Sequence, residues 1–132
     1  LKDFSGAIAD YTKAIEIDSN YAFAYCDRGF AKDKLKDFSG AIADYTKAIE
    51  IDPNYARAFH DRGVTKGKLK DHFGLIADCT MAIEIDSNYA TAYFNRSVSK
   101  FYLGDMIGAC KDARKAQELG DDASILIKKA CN

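Results

Sequence analysis

The chain has 132 residues, of which 48% are hydrophobic and 30% are charged, which is typical of a protein that buries a continuous core. Its formal net charge of -1 lacks the positive excess that attracts proteins to nucleic acid, so no nucleic-acid partner is predicted. No apolar run approaches the roughly 18 residues of a membrane-spanning helix. The sequence also shows no signal peptide, in which a charged stretch is followed by an apolar one, so no membrane contact is predicted.

The chain opens on a segment that it repeats later. LKDFSGAIADYTKAIEID stands at Leu1–Asp18 and again, unchanged, at Leu35–Asp52. A looser third copy begins at Leu69, and each step is 34 residues. A period of this length is typical of a solenoid, because one helical hairpin cannot bury its own apolar face and must stack on the next hairpin.

Each period contains two helical patterns. Between Phe38 and Ile51, apolar residues recur at the spacing of one helix face, and Asp37 precedes them as an N-cap. The second pattern, Ala56–Lys68, follows Pro53, which is predicted to lie in its first turn. No stretch sustains the period-two alternation of a strand. The predicted fold is all-α, an α-solenoid of antiparallel helix pairs.

The pattern of large and small residues resembles the tetratricopeptide repeat family, whose unit is a helix-turn-helix. Its bulky aromatic position holds Tyr25, Phe59 and Tyr93, and its small position holds Gly29, Gly63 and Ser97. Its paired alanines are Ala41 with Ala48 and Ala109 with Ala116. The resemblance spans essentially the whole chain and implies a right-handed superhelix. It divides the chain into a lone second helix at 1–21, units at 22–55, 56–89 and 90–121, and a capping helix at 122–132.

Two departures from the family pattern lead to expectations. The usual turn glycine is kept as Gly104 but is replaced by Lys36 and Lys70, which predicts backbone strain in those two turns. In the segment His72–Leu75, leucine stands at an alanine position, so that helix is expected to pack differently or to sit shifted.

Two charged series also advance by 34 residues. They are predicted to form a ladder of partly buried ion pairs along the array. The members are Arg28, Arg62 and Arg96, with Asp10, Asp44, Asp78 and Asp112.

The four cysteines form no C-x-x-C pair and have no histidine cluster beside them. They are predicted to be reduced, mostly buried thiols, which favours a cytoplasmic setting. An upstream export signal stays open, because the sequence begins within a repeat. The residues are Cys26, Cys79, Cys110 and Cys131.

No catalytic residue, metal site or cofactor is predicted, so the chain is not expected to be an enzyme. The carboxylates recur with the array instead of converging as an acid-base pair must. Cys26 and His60 occupy equivalent positions in successive first helices and should face the same groove. Such helices stand roughly 10 Å apart, however, whereas zinc needs ligands about 2.0–2.3 Å from one ion.

The family resemblance implies a concave face lined by the first helices, and this face is the predicted site. Side chains there vary from repeat to repeat while the core is repeated faithfully, as expected when the core is scaffold and the groove carries specificity. The strongest predicted anchors are Phe94 and His60 for apolar contact, Asp61 for a cation and Asn95 for the ligand backbone. The full set is Phe23, Cys26, Asp27, Phe30, Arg57, His60, Asp61, Val64, Thr91, Phe94, Asn95, Val98, Phe101 and Tyr102.

The predicted function is a protein-interaction scaffold that holds a peptide segment of a partner protein. Apolar anchors, with a Lys or Arg, are the ligand features that this groove favours. A chaperone C-terminal tail is disfavoured, because the family's carboxylate-clamp positions supply no cation here. They read Cys26, Phe30, Asp61, Thr91 and Asn95. The alternative is a structural array that stacks end to end, as a homo-oligomer, through its exposed N-terminal helix.

Overall fold

The computed structural model describes residues 3–132, and within that range it contains eight α-helices and no strand. The helices are α1 (Phe4–Ile17), α2 (Ala22–Lys34), α3 (Phe38–Ile51), α4 (Ala56–Lys68), α5 (His72–Ile85), α6 (Ala90–Tyr102), α7 (Met106–Glu118) and α8 (Ser124–Ala130). The predicted all-α solenoid is confirmed, and α3 and α4 have the predicted bounds.

Aspartate side chains begin the odd-numbered helices. Asp37, the predicted N-cap of α3, accepts a hydrogen bond from the Gly40 backbone N–H at 3.0 Å. The same cap is formed by Asp3 one period earlier, and by Asp71 and Asp105 one and two periods later. The even-numbered helices start without a side-chain cap, after a tight turn. Pro53 lies in such a turn, outside α4, whose N-cap is Tyr55. Its predicted place in the first turn is therefore wrong by a few residues.

The array is curved, with the even-numbered helices on its inner side. Each helix packs against the next one in the chain. In addition, α2 contacts α4, α4 contacts α6, and α6 contacts α8, whereas the odd-numbered helices of the described chain do not contact one another. The core between them is built from small side chains, which let helix axes approach closely. Its fully buried alanines include Ala41, Ala48, Ala58, Ala82, Ala92, Ala109, Ala113 and Ala116.

The strain predicted in two turns is present. Lys36 has φ 65° and Lys70 has φ 67°, both in the left-handed region that disfavours side chains. At the equivalent place Gly104 has φ 86°, which glycine adopts without a steric penalty.

The expected shift of α5 around Leu75 is wrong. α5 has the same length and the same capping pattern as α3. Leu75 is buried, and its side chain lies over Gly67 of α4. Since α2 has Asp33 at the position of Gly67, a glycine one hairpin later makes the room that leucine needs.

The ion-pair ladder is confirmed for three of the four aspartates. Arg28 donates from Nε and Nη2 to both carboxylate oxygens of Asp44, each at 2.8 Å, and from Nη1 to Thr12 of the preceding hairpin. Lys32 adds a second cation to Asp44 at 3.0 Å. The set recurs at Arg62 and Arg96, so each arginine ties three consecutive helices together. Asp10 is exposed and takes no part in the ladder of the described residues.

The prediction of four reduced thiols is wrong for two of them. Cys131 follows α8, which folds back on α7 and brings its Cα within 5.0 Å of that of Cys110, and the two form a disulfide. Cys26 and Cys79 are free and buried. The argument for a cytoplasmic setting rested on four reduced thiols, and it no longer holds because disulfides persist mainly in oxidising compartments.

Candidate functional site

The inner face of the array is formed by α2, α4 and α6, and every predicted site residue lies on one of these helices. Two hollows open along this face, with volumes of about 190 Å³ and about 460 Å³. Val64, Lys68 and Asn95 line both, so the hollows join into one groove. The predicted residues that line the groove are Phe30, His60, Asp61, Val64, Asn95, Val98 and Tyr102.

One wall of the groove is apolar. Val64 and Val98 recur one period apart on α4 and α6, and both are half-buried. Phe30 lies at the α2 end, and Tyr102, which is 70% exposed, lies at the α6 end. The wall therefore offers partly desolvated apolar surface, on which a ligand side chain gains from losing contact with water.

A chain of polar contacts runs beside this wall. The Tyr11 hydroxyl of α1 donates to Asp27 at 3.3 Å, and Asp27 forms an ion pair with Arg57 at 2.8 Å. Arg57 also donates from Nε to Asp61 at 3.3 Å. Burial, followed by the carboxylate of Asp27, raises the pKa of Tyr11. The two groove aspartates thus share one arginine.

His60 continues this chain to α6. Its Nε2 lies 3.0 Å from the amide nitrogen of Asn95, which can only donate, so Nε2 accepts. The proton of neutral imidazole is then on Nδ1, which donates to Asp61 at 2.9 Å. The ring also stacks on Tyr89 with centroids 4.8 Å apart. His60 is therefore held on both ring nitrogens and on one face.

Cys26 is not a groove residue. Its exposure is 0%, and it packs in the core with Tyr45 and Ala58. Burial raises the pKa of its thiol to about 12, so it stays protonated. The expectation that Cys26 and His60 face the same groove is wrong for Cys26, which is fully buried in the core.

Two of the predicted anchors have other partners within the chain. Phe94 packs beside Leu126 of α8, where a separate hollow of about 250 Å³ opens. Asp61 has both oxygens occupied, by Arg57 and by His60. It shares the charge of Arg57 with Asp27, so it is a weaker anchor for a ligand cation than the sequence predicts.

The remaining predicted residues lie away from the hollows. Phe23 and Thr91 are exposed near the first turns of α2 and α6. Phe101 touches the ring of Tyr102 edge-on, with centroids 6.2 Å apart. These three residues border the groove without lining it.

Sequence reasoning missed the lysines of the groove. Lys34 and Lys68 line the smaller hollow, and Lys68 and Lys70 line the larger one. Lys68 is paired with the buried Asp33, which also accepts a hydrogen bond from Thr65. A signal was present: stepping back from Tyr102 by one and two periods gives Lys68 and Lys34.

Another hollow, about 500 Å³, lies on the opposite side of α6, toward α5 and α7. Four of its charged side chains are engaged with one another, since Arg96 binds Asp112 and Lys115 binds Glu118. Lys111 and Arg114 also line it and are exposed.

Residues 3–132 contain no group of three or more His, Cys, Asp or Glu side chains arranged to hold a metal ion. None of the helices in this range is both long enough and apolar enough to cross a membrane.

The fold and the groove define a class of protein: a curved array of stacked helical hairpins with an inner binding surface. Two family models match the sequence, one described as tetratricopeptide repeat over residues 22–55 and one as TPR repeat over residues 1–36. With the solved structures below, these matches support a protein of the tetratricopeptide repeat family. No curated protein sequence matches it.

Several solved structures are similar. The first TPR domain of Spaghetti (RPAP3), bound to the HSP90 peptide SRMEEVD, is 26% identical with a TM-score of 0.82, and the match covers 86% of this chain and 93% of that chain. The Arabidopsis OM64 TPR domain is 26% identical with a TM-score of 0.79, covering 83% and 93%. MamA, 23% identical with a TM-score of 0.88 over 97% and 72%, shows the fold alone.

The family match and these neighbours support a protein-interaction role on a fold that is generally non-catalytic. They give no support to two narrower predictions. One is the exclusion of chaperone tails, since the RPAP3 domain was solved with an HSP90 peptide. The other is self-association.

Proposed function

We propose that the chain is a non-catalytic scaffold that binds a peptide segment of a partner protein in the inner groove. The observation that carries this proposal is the joining of two hollows along α4 and α6 through Val64, Lys68 and Asn95. A joined groove of this kind is long enough for several residues of an extended chain, which advances about 3.3 Å per residue.

Apolar side chains of the peptide supply most of the affinity. Val64 and Val98 form the floor, with Phe30 and Tyr102 at the two ends. Transfer of one ligand Val, Leu or Met side chain into such a wall contributes at most about 1.5–3 kcal/mol. Asn95 uses its NH2 group on His60, and its side-chain oxygen has no hydrogen-bond partner within residues 3–132. That oxygen can accept from a peptide N–H.

Charge selects an acidic peptide. Asp27 and Asp61 share Arg57, so one of their two negative charges is compensated and both carboxylates already have partners. Lys34 and Lys70, in contrast, have no carboxylate within 4.0 Å in the described part of the chain. A Glu or Asp of the ligand can reach this lysine edge. This revises the sequence-based expectation that the ligand carries a Lys or Arg.

The peptide SRMEEVD, seen on the RPAP3 domain, combines apolar and acidic side chains and serves as a first probe. Fluorescence polarisation with the labelled peptide and with SRMQQVN, whose three acidic side chains are replaced by amides, compares the two at low and high salt. If the lysine edge contributes, the acidic peptide binds more tightly and loses its advantage as salt screens the charges. Selection from a display library of random heptapeptides identifies ligands with other sequences.

Variants of the full chain locate the binding surface. Lys34→Ala combined with Lys70→Ala is expected to weaken a selected acidic peptide at least tenfold, or about 1.4 kcal/mol. Tyr102→Ala is expected to weaken peptides with apolar anchors. The matched controls, Lys111→Ala and Met81→Ala, alter exposed residues on α7 and α5 and should leave binding unchanged. Loss of binding in the control variants alone would place the site on the outer face and refute the proposal.

A further inference from the structure

His60 and Asn95 join α4 to α6 at the centre of the inner groove. The Nε2 atom of His60 lies 3.0 Å from the amide nitrogen of Asn95, and both side chains are half-buried. Both line the smaller hollow, and Asn95 also lines the larger one. A ligand that spans the two hollows therefore passes directly over this hydrogen bond.

Asp61 fixes where the proton of the His60 ring lies. The Nδ1 atom of the ring is 2.9 Å from a carboxylate oxygen of Asp61. An ionised carboxylate can only accept hydrogen bonds, so Nδ1 carries the proton, and Nε2 of the neutral ring carries none. The Asn95 group that faces Nε2 must then be a donor, which is its NH2 group. The side-chain oxygen of Asn95 is left for the groove.

This oxygen is accessible to a ligand. Within residues 3–132, the side chain of Asn95 makes its hydrogen bond to His60 through nitrogen, and its oxygen has no partner. None of the described side chains has a buried nitrogen or oxygen atom without a hydrogen-bond partner. The oxygen of Asn95 is therefore not buried, and it can accept from a peptide N–H.

Protonation of the ring reverses the arrangement. An imidazolium carries a proton on both nitrogens, so Nε2 of His60 becomes a donor and can no longer accept from an NH2 group. Half a turn of the Asn95 amide about its χ2 bond places the oxygen against Nε2 and the NH2 group toward the groove. The group that a ligand meets then changes from an acceptor to a donor.

The equivalent residues of α2 and α4 cannot reverse in this way. Asp61 and Asp27 stand one and two periods before Asn95. A carboxylate accepts through both of its oxygens, and both of these carboxylates are held by Arg57. An amide that faces an imidazole is thus a departure from the repeat, and it lies where the two hollows join.

The surroundings of His60 can balance a positive charge on the ring. Asp27 and Asp61 share Arg57, so one negative charge of this group is uncompensated, and Asp61 is the carboxylate in contact with Nδ1. Two tyrosines beside the ring stay neutral, because burial raises the pKa of each. These tyrosines and the other charged residues around the ring are Tyr45 of α3, Tyr89 before α6, Asp33 and Lys34 of α2, and Lys68 of α4.

We propose that His60 determines which backbone group of a ligand is bound at the centre of the groove. While the ring is neutral, the oxygen of Asn95 accepts from a peptide N–H. Once the ring is protonated, the NH2 group of Asn95 donates to a peptide C=O. His60 is thus a positioning residue that acts through Asn95, and the preference changes with pH where the ring titrates. This role rests on the peptide-binding function proposed above.

The reversal itself is tested on the chain without a peptide. Long-range proton–nitrogen NMR spectra show which ring nitrogen carries the proton, and the second of the two histidines is identified with the variant His72→Phe. We expect His60 to have its proton on Nδ1 above its titration. The side-chain NH2 signals of Asn95 should shift with the same midpoint as the ring, and His60→Phe should abolish that shift. A proton on Nε2 of the neutral ring, or NH2 signals that do not follow the ring, would overturn the proposal.

The effect on binding is measured with a heptapeptide selected from a display library at about pH 8, with blocked ends and no Asp, Glu or His. Its affinity for the chain is expected to fall about threefold to tenfold between about pH 8 and about pH 5.5, since one hydrogen bond between neutral groups is lost. Asn95→Ala keeps the charge of His60 but lacks the amide, so its affinity should stay constant over this range. If Asn95→Ala shows the same fall, the charge of the ring is the cause and the proposal is wrong.

The two histidines provide matched variants. Phenylalanine stands one period after His60, at Phe94, and one period before His72, at Phe38, so the array already contains it at both positions. His60→Phe should abolish the pH dependence of binding, whereas His72→Phe, in the larger hollow, should keep it. The opposite result would overturn the proposal. If no selected peptide contacts the groove, the function proposed above fails, while the NMR signals of Asn95 still decide whether the amide reverses.

Discussion

The Cδ1 atom of Leu75 lies 2.5 Å from the position that a Cβ atom at residue 67 would occupy. Gly67→Ala is therefore expected to force the buried leucine aside and to lower the free energy of unfolding by about 1–2 kcal/mol, even though alanine favours helices. Chemical denaturation of the purified variant measures this change.

The double variant separates clash from helix propensity. Leu75→Ala alone leaves a cavity and is expected to cost about 2–4 kcal/mol. Adding Gly67→Ala to it should cost nothing further, and should restore a few tenths of a kcal/mol through helix propensity. Additive losses from the two changes would contradict the close contact between these residues.

Ala48 has no exposed surface, whereas Ala14, its counterpart in the identical helix α1, is partly exposed. Ala48→Leu is expected to overpack the core and to lower the free energy of unfolding by about 1–3 kcal/mol. Ala14→Leu, the same change in the same local sequence, should cost less than half as much. Thermal melts of both variants test the comparison, and equal losses would show that tertiary packing is not the cause.

Lys36 has φ 65° in the turn between α2 and α3. Lys36→Gly is expected to raise the free energy of unfolding by about 0.5–1 kcal/mol, because glycine removes the steric cost of a left-handed conformation. Gly104→Ala, at φ 86° with no other atom within 4 Å of the added Cβ, should lower it by a similar amount. Denaturation midpoints that move in the same direction for both variants would rule out this explanation.

The two free thiols are expected to be unreactive in the native protein. Burial raises the pKa of Cys26 and of Cys79 to about 12, so at neutral pH neither is a thiolate, and neither is accessible. A thiol titration with Ellman's reagent should detect no fast-reacting group in buffer. In denaturant it should detect two thiols without reductant, and four after reduction and removal of the reductant, because Cys110 and Cys131 are disulfide-bonded. Four thiols in denaturant alone would contradict the disulfide.

The repeat, the helices and the ladder could be predicted from the sequence, because they depend on the spacing of apolar and charged residues, which recurs in three successive units. The position of Asp37 before an apolar stripe predicts a helix start, and Arg28 and Asp44 recur at a period that keeps them in contact in every hairpin. The strain at Lys36 could be predicted in the same way. Equivalent turns of a repeat adopt the same backbone conformation, and the glycine at Gly104 indicates that this conformation has a positive φ.

Only the tertiary structure decided which side chains face the groove and which are already paired. Cys26 and His60 are equivalent by sequence, yet Cys26 is fully buried and His60 lines the groove, because burial depends on side-chain size and on which neighbours cover it. The pairing of Asp61 with Arg57 could have been predicted, since the two stand four residues apart on one helix, whereas the ion pair of Arg57 with Asp27 of α2 depends on how the helices pack. Cys110 and Cys131 are brought together by the return of α8 onto α7, a contact that breaks the period and therefore leaves no repeating signal in the sequence.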